Sequence, residues 1–119
     1  LAAAIATLRD GVRVGDIGQA VEATLENHNL ACIYELCGHG VGHQVHEDPI
    51  IPNYGYAGTG EALRSGMTVA LEPNVSLSSH EMYLADDGWT WMTKDQSLST
   101  QAEHTLLVTD DGCEILTQV

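Results

Sequence analysis

Residues 37–49 run Cys37-Gly38-His39-Gly40-Val41-Gly42-His43-Gln44-Val45-His46-Glu47-Asp48-Pro49, and their glycines determine what the histidines can do. His39 and His43 have the four-residue spacing of two zinc ligands on one helical turn. Gly38, Gly40 and Gly42 argue against a helix there, since each costs about 1 kcal/mol relative to alanine. In extended backbone His39 and His43 share one face, while His46 points to the other unless the strand bends or bulges. A Gly-rich stretch of this kind also lets backbone approach a ligand closely. The same residues fit, equally, a loop whose histidines are merely polar.

Upstream of this stretch the apolar periodicity is helical. Leu1, Ile5 and Leu8 recur at helical spacing until Gly11 stops the pattern. A second helix is marked by Asp16 as a cap, Gln19 three residues later, and a stripe of Ile17, Val21, Thr24 and Leu25. From Leu30 onward the pattern turns to strands. Thr68–Val75 is expected as one strand, with Thr68, Ala70 and Glu72 on a common face. Asp87-Gly88 predicts a hairpin joining Met82–Leu84 to Trp89–Met92, and Asp111-Gly112 another joining Thr105–Val108 to Glu114–Leu116. Helices followed by antiparallel strands define the class as α+β.

Composition narrows the function. Seventeen acidic residues against four basic ones give a formal charge of -13. Arg9, Arg13, Arg64 and Lys94 cannot form a basic patch, which argues against binding to a nucleic-acid backbone or an anionic membrane. An acidic surface of this kind suits cationic ligands such as metal ions or free amino termini. No apolar run approaches membrane-spanning length. Cys32, Cys37 and Cys113 are odd in number and include no Cys-x-x-Cys pair, so reduced thiols in a cytoplasmic protein are expected. The chain starts at Leu1 within a helical pattern, which suggests sequence upstream of it.

Two carboxylates give the histidines a context. Glu72 sits in Met67-Thr68-Val69-Ala70-Leu71-Glu72-Pro73, and Glu103 opens Glu103-His104-Thr105-Leu106-Leu107-Val108. An ionised Glu in a buried strand is costly unless a cation or several donors receive it. With few Lys and Arg available, a divalent ion such as Mn, Fe, Co or Zn is an economical partner for His and two carboxylates. Glutamates at strand ends, solvated by water, are the other reading.

Five segments in register carry a resemblance. Cys37-Gly38-His39-Gly40-Val41-Gly42, His46-Glu47-Asp48-Pro49, Gly66-Met67-Thr68-Val69-Ala70-Leu71-Glu72-Pro73, Asp87-Gly88-Trp89-Thr90 and Glu103-His104-Thr105 together resemble type I methionine aminopeptidases. The resemblance implies the pita-bread fold, two pseudo-symmetric α+β halves around a dinuclear metal site, with residues 1–119 as the carboxy-terminal half of the catalytic domain. It implies His39, Glu72 and Glu103 as metal ligands, with Glu103 bridging two divalent ions of unassigned identity (Co, Mn, Fe or Zn). His46 would contact the substrate or intermediate, and Glu103 would add a catalytic role as a base. Trp89 and Val45 would wall the methionine pocket, although Val45 stands where relatives often carry an aromatic residue. Two aspartate ligands and a further catalytic histidine would lie upstream, in the missing amino-terminal half.

By the same resemblance the substrate is the amino terminus of a nascent protein or peptide, with room for ribosome association. A proline-directed peptidase of the same fold and a non-catalytic peptide-binding module are the alternatives. The residues outside these roles are expected to be structural. His43 reads as a surface or supporting residue, His104 as a packing or hydrogen-bonding residue, and Cys37 as a small buried neighbour of the site. Trp91 is expected in the core.

Overall fold

The computed structural model describes residues 1–118. The helical pattern at the amino terminus yields only one turn, α1 (Ala2–Ile5), after which Leu8 tucks into the core at 3% exposure. The second helix, α2 (Val14–Asn27), begins earlier than the cap signal suggested. Asp16 lies inside its first turn and reaches back, so that Asp16 Oδ2 accepts the Arg13 N–H at 2.9 Å. Its other oxygen accepts the Gly58 N–H at 2.7 Å and ties the helix start to a distant loop. The stripe Ile17, Val21 and Leu25 is buried as its spacing requires.

The strands follow as β1 (Ala31–Cys32), β2 (Gly38–Gly40), β3 (Glu47–Ile51), β4 (Thr68–Leu71), β5 (Asn74–Ser76), β6 (Met82–Leu84), β7 (Trp91–Thr93), β8 (Ser99–Gln101), β9 (His104–Val108) and β10 (Cys113–Ile115). Five of them form an antiparallel sheet in the order β10-β9-β4-β2-β3. A second sheet has the order β1-β5-β8, and β6 and β7 make a two-stranded ribbon. The expected single strand over Thr68–Val75 is divided at Glu72-Pro73 into β4 and β5, which join different sheets. Pro73 has no N–H for a ladder, so pairing breaks there. Trp89 likewise falls in the turn before β7 and not in the strand, because Asp87 Oδ1 accepts the N–H groups of both Trp89 and Thr90 at 2.9 Å. Gly88 holds the positive φ of +69° that this turn needs.

Alternation along the large sheet separates two faces. Ile51, Val69, Leu71, Leu106 and Val108 point to the helices and pack with Ala4, Leu8, Ile17, Val21 and Leu25 into one core. Burying side chains of this size contributes about 1.5–3 kcal/mol each. The register His39↔Ala70, His39↔Ile50 and Ala70↔Thr105 puts these four residues on the opposite face. Among the described residues no helix packs on that face, and Ile50 on it is 60% exposed. The expected core position of Trp91 is not realised, since it is exposed on the ribbon opposite Leu84. Among the described residues no helix is long and apolar enough to cross a membrane.

Candidate metal centre

His39 lies at the centre of β2, nearly buried and flanked by two glycines. A Cβ on Gly40 would collide with the Asp48 carbonyl, so only glycine lets β2 lie this close to β3. The β2–β3 register jumps from His39↔Ile50 to Gly40↔Glu47, so the irregularity lies in β3 at Asp48-Pro49, while β2 keeps an unbroken register with β4. The bend between β2 and β3 brings His46 back beside His39, with ring centroids 4.2 Å apart and planes at 59°. One straight strand would have parted these two rings; the chain reversal between β2 and β3 joins them. His43 does not join them and is exposed.

The hydrogen bonding of His39 fixes its chemistry. Nδ1 lies 2.9 Å from the Gly40 carbonyl oxygen, which can only accept, so Nδ1 carries a proton. Nε2 is then the nitrogen whose lone pair is free in the neutral ring, and it stands 3.6 Å from Glu72 Oε1. Two acceptors facing each other at this distance are reconciled by a proton on Nε2 or by a cation that both can bind.

Glu72 follows β4 immediately and is largely buried, with a side-chain exposure of 17%. Its main-chain oxygen accepts from the buried amides of Asn53 at 3.0 Å and Asn74 at 2.7 Å. Glu103 precedes β9 and is exposed. The Gln101 amide nitrogen connects them, 3.0 Å from Glu72 Oε2 and 3.1 Å from Glu103 Oε2. The chain's cations serve other groups. Arg64 pairs with Asp10, Lys94 with Glu81, Arg13 donates to the Gly60 carbonyl and Arg9 to the Thr7 carbonyl.

These residues fit a divalent ion in kind. An imidazole nitrogen and two carboxylates with no ammonium or guanidinium partner make a donor set for borderline or hard ions. In number the set is incomplete, since among the described residues no three His, Cys, Asp or Glu side chains converge on one point. His39 and Glu72 come together; Glu103 reaches them through Gln101.

A cleft of about 460 Å³ opens beside His39, lined by Cys37, Gln44, His46, Glu47, Asp48 and Ile50. Burial raises the Cys37 thiol pKa, and the Glu72 carboxylate raises it further, which disfavours the thiolate at neutral pH. Val45 and Trp89 do not line this cleft and are exposed by 74% and 86%. His104 turns away from Glu103 and bonds Thr117 Oγ1 at 2.8 Å, the hydrogen-bonding role expected for it. Sequence reasoning missed Gln101 and Asn74. The signal for Gln101 was its place two residues before Glu103, the spacing that returns a side chain to the same side of an extended chain.

The sequence profile described as metallopeptidase family M24 matches residues 1–110. The chain belongs to that family. It is 44% identical over 115 residues to the methionine aminopeptidase of Mycoplasma capricolum subsp. capricolum, a match covering 97% of this chain and 46% of that protein. Against methionine aminopeptidase of Escherichia coli the identity is 42% over 114 residues, covering 96% and 43%. The crystal structure of methionine aminopeptidase from Rickettsia prowazekii superimposes with a TM-score of 0.95 at 42% identity, over 98% of this chain and 48% of that one. Prolidase from Pyrococcus furiosus shares the fold alone, with a TM-score of 0.72 at 20% identity, over 99% and 29%. The α+β, pita-bread class is therefore the observed one. The M24 chain spans just under half the length of these curated relatives.

Proposed function

We infer that this chain is the carboxy-terminal half of the catalytic domain of a metal-dependent methionyl aminopeptidase, which removes the initiator methionine from nascent proteins and peptides. The observation that carries the reading is the lone pair of His39 Nε2 aimed at Glu72 Oε1 from 3.6 Å, with Glu103 tied alongside. The names of the relatives at 42–44% identity support the choice of methionine as the residue removed. In this reading His39, Glu72 and Glu103 hold two divalent ions together with aspartates from the missing amino-terminal half.

Bound divalent ions would supply an acidified water and a polarised peptide carbonyl. The residues of this chain do the rest. His46 sits at the open side of His39 and donates a hydrogen bond to the scissile carbonyl oxygen as negative charge grows on it. Glu103, an exposed carboxylate and a ligand first, would also help to carry the proton of the attacking water. Val45 and Trp89, whose apolar surfaces stand free, wall the methionine side chain once the other half and the substrate are in place. The strongly acidic surface favours the substrate's cationic amino terminus.

Glu103→Gln in the full protein tests this reading. Losing the carboxylate's charge is expected to reduce turnover of a methionyl peptide to near zero and to lower the bound metal measured by elemental analysis. Wild-type turnover with wild-type metal content would remove Glu103 from the site.

A further inference from the structure

We propose that Gln101 is a positioning residue that fixes the geometry of the metal-binding carboxylates, an inference that rests on reading Glu72 and Glu103 as ligands. β5 and β8 pair with Asn74 directly opposite Gln101, so two side-chain amides converge on Glu72 from adjacent strands. Asn74 Nδ2 lies 3.4 Å and Gln101 Nε2 3.0 Å from the same oxygen, Glu72 Oε2. The second hydrogen of the Gln101 amide goes to Glu103 Oε2 at 3.1 Å. Carboxylates only accept, so the amide must present its NH₂ group to both; the flipped amide would aim a carbonyl oxygen at two negative charges.

The consequence is a division of labour between the oxygens of Glu72. Oε2 is taken up by amides, while Oε1 receives no hydrogen bond among the described residues and faces His39 Nε2. One neutral NH₂ thereby orients two anions within two hydrogen-bond lengths of each other, without a cationic side chain that would compete with metal. Residues that orient ligands in this way commonly change metal affinity by about 10–100-fold when removed.

The test is made on the full protein with Gln101→Met, which keeps side-chain length and removes the donor, and with Gln101→Ala beside it. Affinity for Mn(II) is expected to fall about 10–100-fold by calorimetry. The visible absorption bands of the Co(II)-loaded protein should shift as the carboxylates relax, and kcat for a methionyl peptide should fall while KM holds. Circular dichroism melts check that the variants fold. Wild-type protein gives a measurement without substitution: the Gln101 side-chain amide resonances should move when Zn(II) is added. Unchanged Mn(II) affinity and Co(II) spectrum in both variants, or amide resonances that stay still at Zn(II) saturation, would overturn the role of Gln101. If Glu103→Gln loses metal in parallel, the ligand reading survives that result. If Glu72→Gln and Glu103→Gln both bind Mn(II) like wild type, the ligand reading fails and the role of Gln101 falls with it.

Discussion

A proton kept on His39 Nδ1 by the Gly40 carbonyl leaves Nε2 to face Glu72, and the chain reversal between β2 and β3 sets His46 against the same ring. The two histidines thus differ in what surrounds them. His39 is almost enclosed and shares its free nitrogen with a carboxylate, whereas His46 is exposed and lines the cleft. A buried acceptor beside an anion is suited to a cation; an exposed donor beside a cleft is suited to a substrate oxygen. His46→Ala in the full protein should therefore lower kcat roughly 10²–10³-fold, the usual loss for one transition-state donor, with metal content near normal. Loss of bound metal in that variant would make His46 a ligand and reverse the division between the two rings. At this scale His39, Glu72 and Glu103 could be singled out in the sequence as candidates, because His39 sits among glycines and each glutamate borders an apolar strand. Asn74 and Gln101 were not. Their amides acquire a role only when β5 and β8 pair in one particular register.

Among the elements, α2 shows how a local signal can be right in kind and shifted in place. Asp16 does stabilise the helix start, but from inside the first turn, where its carboxylate accepts from Arg13 and Gly58. These backbone N–H groups, Arg13 first, hold its pKa below the ordinary 3.8. A carboxyl depressed in the folded state stabilises fully above its unfolded value, and that contribution is lost as pH falls through the folded one. Asp16→Ala is therefore expected to cost about 1 kcal/mol at neutral pH, the usual scale for a lost helix cap. Chemical denaturation should show the gap to wild type closing in strong acid; a gap that persists there would mean Asp16 acts through packing and not charge. The hairpins at Asp87-Gly88 and Asp111-Gly112 were readable because turn chemistry is local. The break of Thr68–Val75 at Pro73 lay in the sequence as well, yet which sheet each piece joins depends on partners far along the chain.

On the scale of the whole molecule, one face of the five-stranded sheet is closed by helices and the other holds His39, Ala70, Ile50 and Thr105, with no helix on it among the described residues. The candidate ligands border that second face, and large apolar side chains such as Trp89 and Leu98 stand exposed elsewhere on the surface. The described residues of the isolated chain offer too few converging donors for tight binding, since affinity depends on ligand count and charge. It is expected to cleave no methionyl peptide, to bind Mn(II) or Co(II) weakly by calorimetry, and to self-associate by light scattering. Full activity from a monomer of this length would mean that the site is built without a second half. The central claim, that His39, Glu72 and Glu103 hold metal, is tested most directly by anomalous diffraction at the zinc edge from crystals of the full protein soaked in zinc. The account predicts a peak about 2.0–2.2 Å from His39 Nε2 and from carboxylate oxygens of Glu72 and Glu103. Zinc found only at other side chains, with these three left free of it, would contradict the account.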